Sequence, residues 1–198
     1  MDFPTQIAIH RIKEPRLDIY VPVVQGLKNQ SAQTAINQQI MKTVRKLIKK
    51  QGYYENPQAE ITGSFELKTN ERGILSLTIE QFSYSGGAHG ITYIIGLTFN
   101  IQTGEKYKLA DLFKPNSPYV EVLSKLVGQQ IKKRDIFTFE PFKAINPNQD
   151  FYIADKSLVL YYQLYELTAY AYGFPYFPIS VYEIQDIVKE EGALGKMI

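Results

Sequence analysis

The chain has no cysteine and no tryptophan, and only two histidines among its 198 residues. Without cysteine there is no thiolate nucleophile, no cysteine-ligated zinc, no iron–sulfur cluster and no disulfide. The same absence suits the cytosol. It equally suits the outside of a cell, where a chain this long can fold without covalent staples. Excess charge of one sign is also missing: 22 Lys and Arg stand against 20 Asp and Glu, a formal +2. A nucleic-acid partner calls for a strongly basic domain, so none is expected. No apolar run approaches the ~20 residues that cross a bilayer as a helix. Met1-Asp2-Phe3-Pro4 lacks the basic segment and apolar run of a signal peptide, so either the protein is cytosolic or a signal or anchor has been removed. What remains, 44% hydrophobic and 21% charged residues, is a globular balance that excludes disorder, collagen and coiled coil as descriptions of the whole chain.

The hydrophobic pattern predicts an α+β fold. Ile7, Ile9 and Ile12, then Leu17, Ile19 and Val21, alternate with polar neighbours on either side of Pro15, as two short strands would. Ser31 is the expected cap of a helix reaching about Lys50, with Ile36, Ile40, Val44, Leu47 and Ile48 as its apolar stripe. Lys42, Arg45, Lys46, Lys49 and Lys50 fall on the other faces, where a solvated surface is the commoner reading and an acidic partner the sharper one. Two strands, Ala59 to Thr69 and Ile74 to Tyr84, flank the turn Asn70-Glu71-Arg72-Gly73, and a third runs from Ile91 to Ile101. Ser117 and Pro118 open a second helix with the stripe Tyr119, Leu123, Leu126, Val127 and Ile131. Strands follow at 151–153, 158–162 and Ile179 to Tyr182, with a short closing helix from Glu183 to Glu190.

No catalytic constellation stands out. His89 lies in the loop Ser85-Gly86-Gly87-Ala88-His89-Gly90, where it could ligate a metal or act as a base. His10 is the only other histidine, and no metal-ligand spacing is present, so neither a metal nor a cofactor is expected. The bland reading is that Gly86 and Gly87 supply positive φ in a tight connection that His89 pins with a hydrogen bond. A strand follows the glycines, not the helix that a phosphate loop requires. Ser85 lies in no GxSxG elbow, and no pair of carboxylates is singled out for glycosidase chemistry.

Aromatics are the conspicuous presence, with 15 Tyr and 11 Phe. Nine lie between Tyr161 and Tyr182, and Tyr170, Tyr172, Phe174, Tyr176 and Phe177 occupy a stretch that reads as a loop, with Gly173, Pro175 and Pro178. Stiff exposed rings are what protein-binding and sugar-stacking surfaces use. Core packing and interface both remain open for them.

Four blocks carry a family resemblance: Tyr84-Ser85-Gly86-Gly87-Ala88-His89-Gly90; Thr103-Gly104 with Leu109-Ala110-Asp111-Leu112-Phe113; Phe151-Tyr152-Ile153 with Leu158 to Leu167; and Ala169-Tyr170-Ala171-Tyr172-Gly173. In this order they resemble the module of unknown function numbered 3298 (DUF3298). The first eighty or so residues resemble its usual N-terminal companion, numbered 4163 (DUF4163). In that family the pair forms the extracellular part of a lysozyme-sensing anti-sigma factor and the non-catalytic part of a peptidoglycan deacetylase. The resemblance implies two packed α+β subdomains, 1–83 and 84–198, with antiparallel sheets and two main helices. It implies a non-catalytic, extracytoplasmic binding or sensory role, secreted or membrane-anchored in full-length form, toward a protein such as lysozyme or toward cell-wall glycan. The candidate contacts are Tyr170, Tyr172, Phe174, Tyr176 and Phe177, with Ser85, Gly86, Gly87 and His89. An accessory wall-binding module is the alternative, and a stand-alone hydrolase using His89 the more distant one.

Overall fold

In a computed structural model, described over residues 4–198, the chain is α+β and divides into two units, one ending at Lys106 and the other spanning Tyr107–Ile198. The first unit holds strands β1 (Gln6–Glu14), β2 (Leu17–Gln25), β3 (Glu60–Glu71), β4 (Ile74–Tyr84) and β5 (Ile91–Asn100), with helix α1 (Gln30–Lys50) between β2 and β3. The five strands form one sheet in sequence order, antiparallel throughout except where β2 and β3 run parallel. A parallel pair needs a crossover, and α1 supplies it. The parallel pairing covers only Leu17–Ile19 against Ile61–Gly63. Pro22, farther along β2, has no N–H to offer a neighbour on that side.

The apolar stripe expected on α1 is the one observed. Ile36, Ile40, Val44, Leu47 and Ile48 are buried against Ile19, Val21, Ile61, Leu75, Leu77, Ile79, Leu97 and Phe99 of the sheet. The cap differs. Asn29, not Ser31, ends the preceding chain, and its side-chain oxygen accepts from the N–H groups of Ser31 and Ala32 at 3.1 and 3.2 Å. Its amide also donates to the Gln102 carbonyl at 2.8 Å, which fastens the helix start to the chain leaving β5. Gly104, at φ +78°, lies so near that a Cβ there would sit 2.8 Å from the Cα of Ala32.

β5 pairs with β4 from Ile91 to Asn100, so a boundary between residues 83 and 84 would cut through a hydrogen-bonded hairpin. The division falls instead after Lys106, which itself bridges Phe99.

The second unit contains α2 (Tyr119–Lys133) and an antiparallel sheet of β6 (Phe151–Ala154), β7 (Ser157–Tyr161) and β8 (Tyr176–Ser180). Pro118 takes the N-cap position of α2 and Ser117 makes no cap bond. Only Leu123 and Val127 of the expected stripe are fully buried. The last strand begins three residues before the expected Ile179, because Tyr176 and Phe177 pair with Tyr161 and Leu160. The closing helix does not form. A 3-10 turn, Val181–Glu183, is boxed by Ser180 and Glu183. The backbone beyond it then bonds across to residues 112–114: Val188 bridges Phe113, Lys114 N donates to Ile187 O, and Lys189 N donates to Leu112 O. Those groups cannot also make a helical ladder.

Asn29→Ala should lower stability by about 1–2 kcal/mol, the usual worth of a cap. Ser31→Ala should cost less than about 0.5 kcal/mol, as a solvent-exposed change does. Chemical denaturation of the two variants separates these outcomes.

Candidate functional site

The candidate residues are divided between the two units. Ser85, Gly86, Gly87 and His89 belong to the β4–β5 connection of the first unit, while the five rings belong to the second. Gly86 and Gly87 sit at φ +86° and +102°, so both need the freedom that glycine has. Tyr84 Oη donates to Gly87 O at 3.0 Å, and His89 Nδ1 donates to Gly90 O at 2.9 Å. His89 is exposed. Among the described residues no three His, Asp or Glu side chains gather where they could hold a metal ion. Gly90 carries the tightest steric requirement of this loop. A Cβ there would lie 2.3 Å from the ring of Phe82.

In the second unit, Tyr170 and Tyr172 form a 3-10 turn, Tyr170–Tyr172, and Gly173 leaves it at φ +80°. Tyr172 is exposed, and Tyr170, Phe174 and Tyr176 are half-buried. Phe177 is 0% exposed. As the second residue of β8 it points into the core, in edge-to-face contact with Tyr162 at 5.8 Å, and it can touch no ligand. Arg134, capping the end of α2, braces the segment. Its Nη1 donates to Tyr176 O at 2.6 Å, and its guanidinium lies 5.5 Å from the Phe177 ring centroid.

Three further rings are exposed in the second unit: the sequence reading counted Tyr165 in the aromatic run without choosing it as a contact, and it missed Phe137 and Phe139. Phe137 is 83% exposed and Phe139 53%, in the loop that leaves α2, and Tyr165 is exposed as well. Phe139 N donates to Leu167 O at 3.1 Å, joining that loop to the turn carrying Tyr165. Tyr165 adopts φ +65°, rare for a bulky residue, and its ring lies 5.5 Å from that of Tyr170. The available signal was the Phe-Thr-Phe run at 137–139, which directly follows the basic helix end and belongs to no amphipathic period.

The residues flanking Tyr165 in sequence enter a polar knot. Glu166 Oε2 accepts from Gln163 N at 2.7 Å, and Gln163 Nε2 donates to Asp150 at 2.8 Å. Loss of solvent around the Glu166 carboxyl raises its pKa, and the Asp150 charge adds to the rise, while hydrogen bonds from Gln163 and Gln149 oppose it. Burial likewise raises the Tyr162 phenol, whose Oη has no hydrogen-bond partner, as is true of the buried Thr168 Oγ1.

Two family models match the chain. Residues 110–182 match the one described as Protein of unknown function (DUF3298), and residues 13–92 match Deacetylase PdaC. The module numbered 4163, expected for the N-terminal part, is not shown, and the PdaC match stands in its place. Among curated proteins, the anti-sigma-V factor RsiV of Bacillus subtilis is 26% identical over 93% of this chain and 71% of its own length. The peptidoglycan-N-acetylmuramic acid deacetylase PdaC of the same bacterium is 24% identical over 83% of this chain, but over only 38% of its own length. The fold recurs in a crystal structure of a DUF3298 family member from Bacteroides fragilis, with TM-score 0.74, 17% identity and coverage of 98% of this chain and 97% of that one. It recurs again in a DUF3298 family protein from Pseudomonas aeruginosa, with TM-score 0.67, 11% identity and coverage of 96% and 95%.

Gly87→Ala should cost about 1–2 kcal/mol from backbone strain alone, because the added methyl group would meet open space. Thermal melts read this. Glu166 supplies a pH test. A carboxyl whose pKa is raised by folding favours the fold while protonated and opposes it once ionised. Its contribution is complete below the ordinary carboxylate range and is lost as pH rises through the raised value. Glu166→Gln should therefore match the parent near about pH 4 and exceed its stability near about pH 7.

Proposed function

We propose that this chain is a non-catalytic, extracytoplasmic ligand-binding domain whose ligand is a protein such as lysozyme. The observation that carries the reading is the group of exposed rings Phe137, Phe139, Tyr165 and Tyr172 on interlocked loops of the second unit. Aromatic side chains offer large contact area with few rotors to freeze, and they dominate binding hot spots. The loops are held before any ligand arrives, by Arg134 and by the Phe139–Leu167 bond, so little ordering entropy opposes association. Similarity to an anti-sigma factor favours a sensory use of that binding. A non-catalytic role is favoured by the commitment of His89 Nδ1 to its own loop.

The match of residues 13–92 to the deacetylase favours a second reading, an accessory domain that keeps a wall-modifying enzyme on peptidoglycan. Both readings place the domain at the cell envelope. Among the described residues no helix is long and apolar enough to cross a membrane.

Calorimetric titration with lysozyme, run beside pull-down on purified peptidoglycan, separates the two readings. In the first, Phe137→Ala and Tyr172→Ala should each weaken lysozyme binding by about 2 kcal/mol or more while circular dichroism stays unchanged. Full affinity in the folded double variant would remove the aromatic surface from the function. A hydrolysis rate that disappears on His89→Ala would overturn the non-catalytic role.

A further inference from the structure

The sheet of the first unit has one face under α1 and a second face that carries its own cleft, of about 250 Å³, lined by Asp18, Tyr20, Thr62, Ser64, Glu80 and Phe82. Its shape follows from register. Thr62 and Ser64 of β3 point to this face while Gly63 between them points to the core, where a Cβ would meet Ile19 Cγ2 at 2.9 Å. Thr62 pairs with Phe82 and Ser64 with Glu80 on β4, and on the other side Asp18 of β2 pairs with Thr62. Small hydroxyl residues thus form the floor, and a ring rises from the strand on either side. The flanking strands are two strand spacings apart, about 9–10 Å, room for one pyranose ring between their side chains.

We propose that this cleft binds a glycan chain, taking one pyranose between Tyr20 and Phe82. A pyranose with equatorial substituents has an apolar C–H face that covers an aromatic ring and a hydroxyl rim that needs polar partners. The cleft supplies both, with rings as walls and Thr62, Ser64 and Glu80 within it. Its charge suits a neutral ligand. Asp18 accepts from Arg11 Nε and Nη2 and from Lys13 Nζ, all at 2.8 Å, so its charge is cancelled. Glu80 is left as the lining carboxylate that no Lys or Arg holds in an ion pair among the described residues. A cationic ligand would approach Arg11 and Lys13 on the neighbouring strand β1. An apolar side chain would strip water from Glu80 and the hydroxyls without replacing their hydrogen bonds.

The walls are set in advance. The Arg11 guanidinium stacks 5.3 Å from the Tyr20 ring centroid while Asp18 grips it from the side. Phe82 lies against Gly90, the residue of the glycine–histidine loop that admits no side chain. That loop therefore shapes the cleft through Gly90, with His89 holding the carbonyl of Gly90. The proposal shares no residue with the protein-binding surface of the second unit and stands or falls separately from it.

Two-dimensional amide NMR of the whole chain tests it, with β-1,4-linked N-acetylglucosamine tetramer, cellotetraose and choline as separate probes. At least one of the two sugars should shift amides at 18–20, 62–64 and 80–82, and choline should not. Which sugar binds reports whether an acetamido group is read. Ser64→Leu, which fills the floor and leaves both rings in place, should weaken that sugar at least about tenfold. Tyr20→Ala should do the same by removing a wall. Gly90→Ala should weaken it by displacing Phe82, with amide spectra verifying that each variant is folded. The idea fails if neither sugar shifts this face, if choline binds there as well as they do, or if folded Ser64→Leu binds as the parent does.

Discussion

The parallel pairing of β2 with β3 is the constraint from which the first unit follows. Parallel neighbours cannot be joined by a tight turn, so a helix must cross between them. The crossing helix then has a sheet face to cover, and its stripe from Ile36 to Ile48 does so. Burial of side chains of that size is worth about 1.5–3 kcal/mol each. Because the crossover can cover only one side, the strand pleat delivers every second residue to the other face. There Asp18, Tyr20, Thr62, Ser64, Glu80 and Phe82 meet, although their sequence separations reach 64 residues between Asp18 and Phe82.

This is also why the sequence disclosed the core more readily than the surfaces. A buried stripe repeats with the period of its own element, so Ile36, Ile40, Val44 and Leu47 could be picked out locally and are buried. The long strands of the first unit were legible for the same reason. The cap was misplaced because Asn29 and Ser31 are both good capping residues, and the choice between them rests on a bond to Gln102 distant in sequence. The helix expected after Glu183 lost to long-range backbone pairing with residues 112–114, which has no local signature. Phe177 was read as a loop residue because the two prolines beside it suggest a loop. Register against Leu160 makes it a core residue instead. The same loop expectation was sound for Tyr172, which precedes the turn at Gly173 and remains exposed.

The glycine–histidine loop shows a residue pattern being noticed for one reason and mattering for another. Histidine among glycines suggests chemistry. In the structure the loop is a steric device: Gly86 and Gly87 bend the chain through positive φ, and Gly90 makes room for a neighbouring ring. His89 closes onto the next residue's carbonyl. In the proposed glycan site its effect would therefore run through Phe82, which sits eight residues before Gly90 on the strand that the loop leaves.

In each unit an arginine that is itself fixed lies beside an aromatic ring, exposed Tyr20 in one and buried Phe177 in the other. Arg11 is gripped by Asp18 and lies over Tyr20; Arg134 is bonded to the Tyr176 carbonyl and lies over Phe177. In surface ion pairs the attraction is small, because water screens it and two long side chains lose freedom. At these positions the guanidinium does something besides add attraction. Planar and multiply bonded beside Tyr20, it limits the rotamers open to that ring before a ligand arrives, whereas Phe177 is already fixed by burial. That matters because an interface loses affinity for every rotor it must immobilise. The Asp18 carboxyl, held well below the ordinary carboxylate range by its bonds to Arg11 and Lys13, stays ionised under mildly acidic conditions. The brace on Tyr20 therefore persists as the medium acidifies, and loosens only when pH falls through that depressed value. A wall of the cleft held in this way keeps its geometry as the medium becomes mildly acidic.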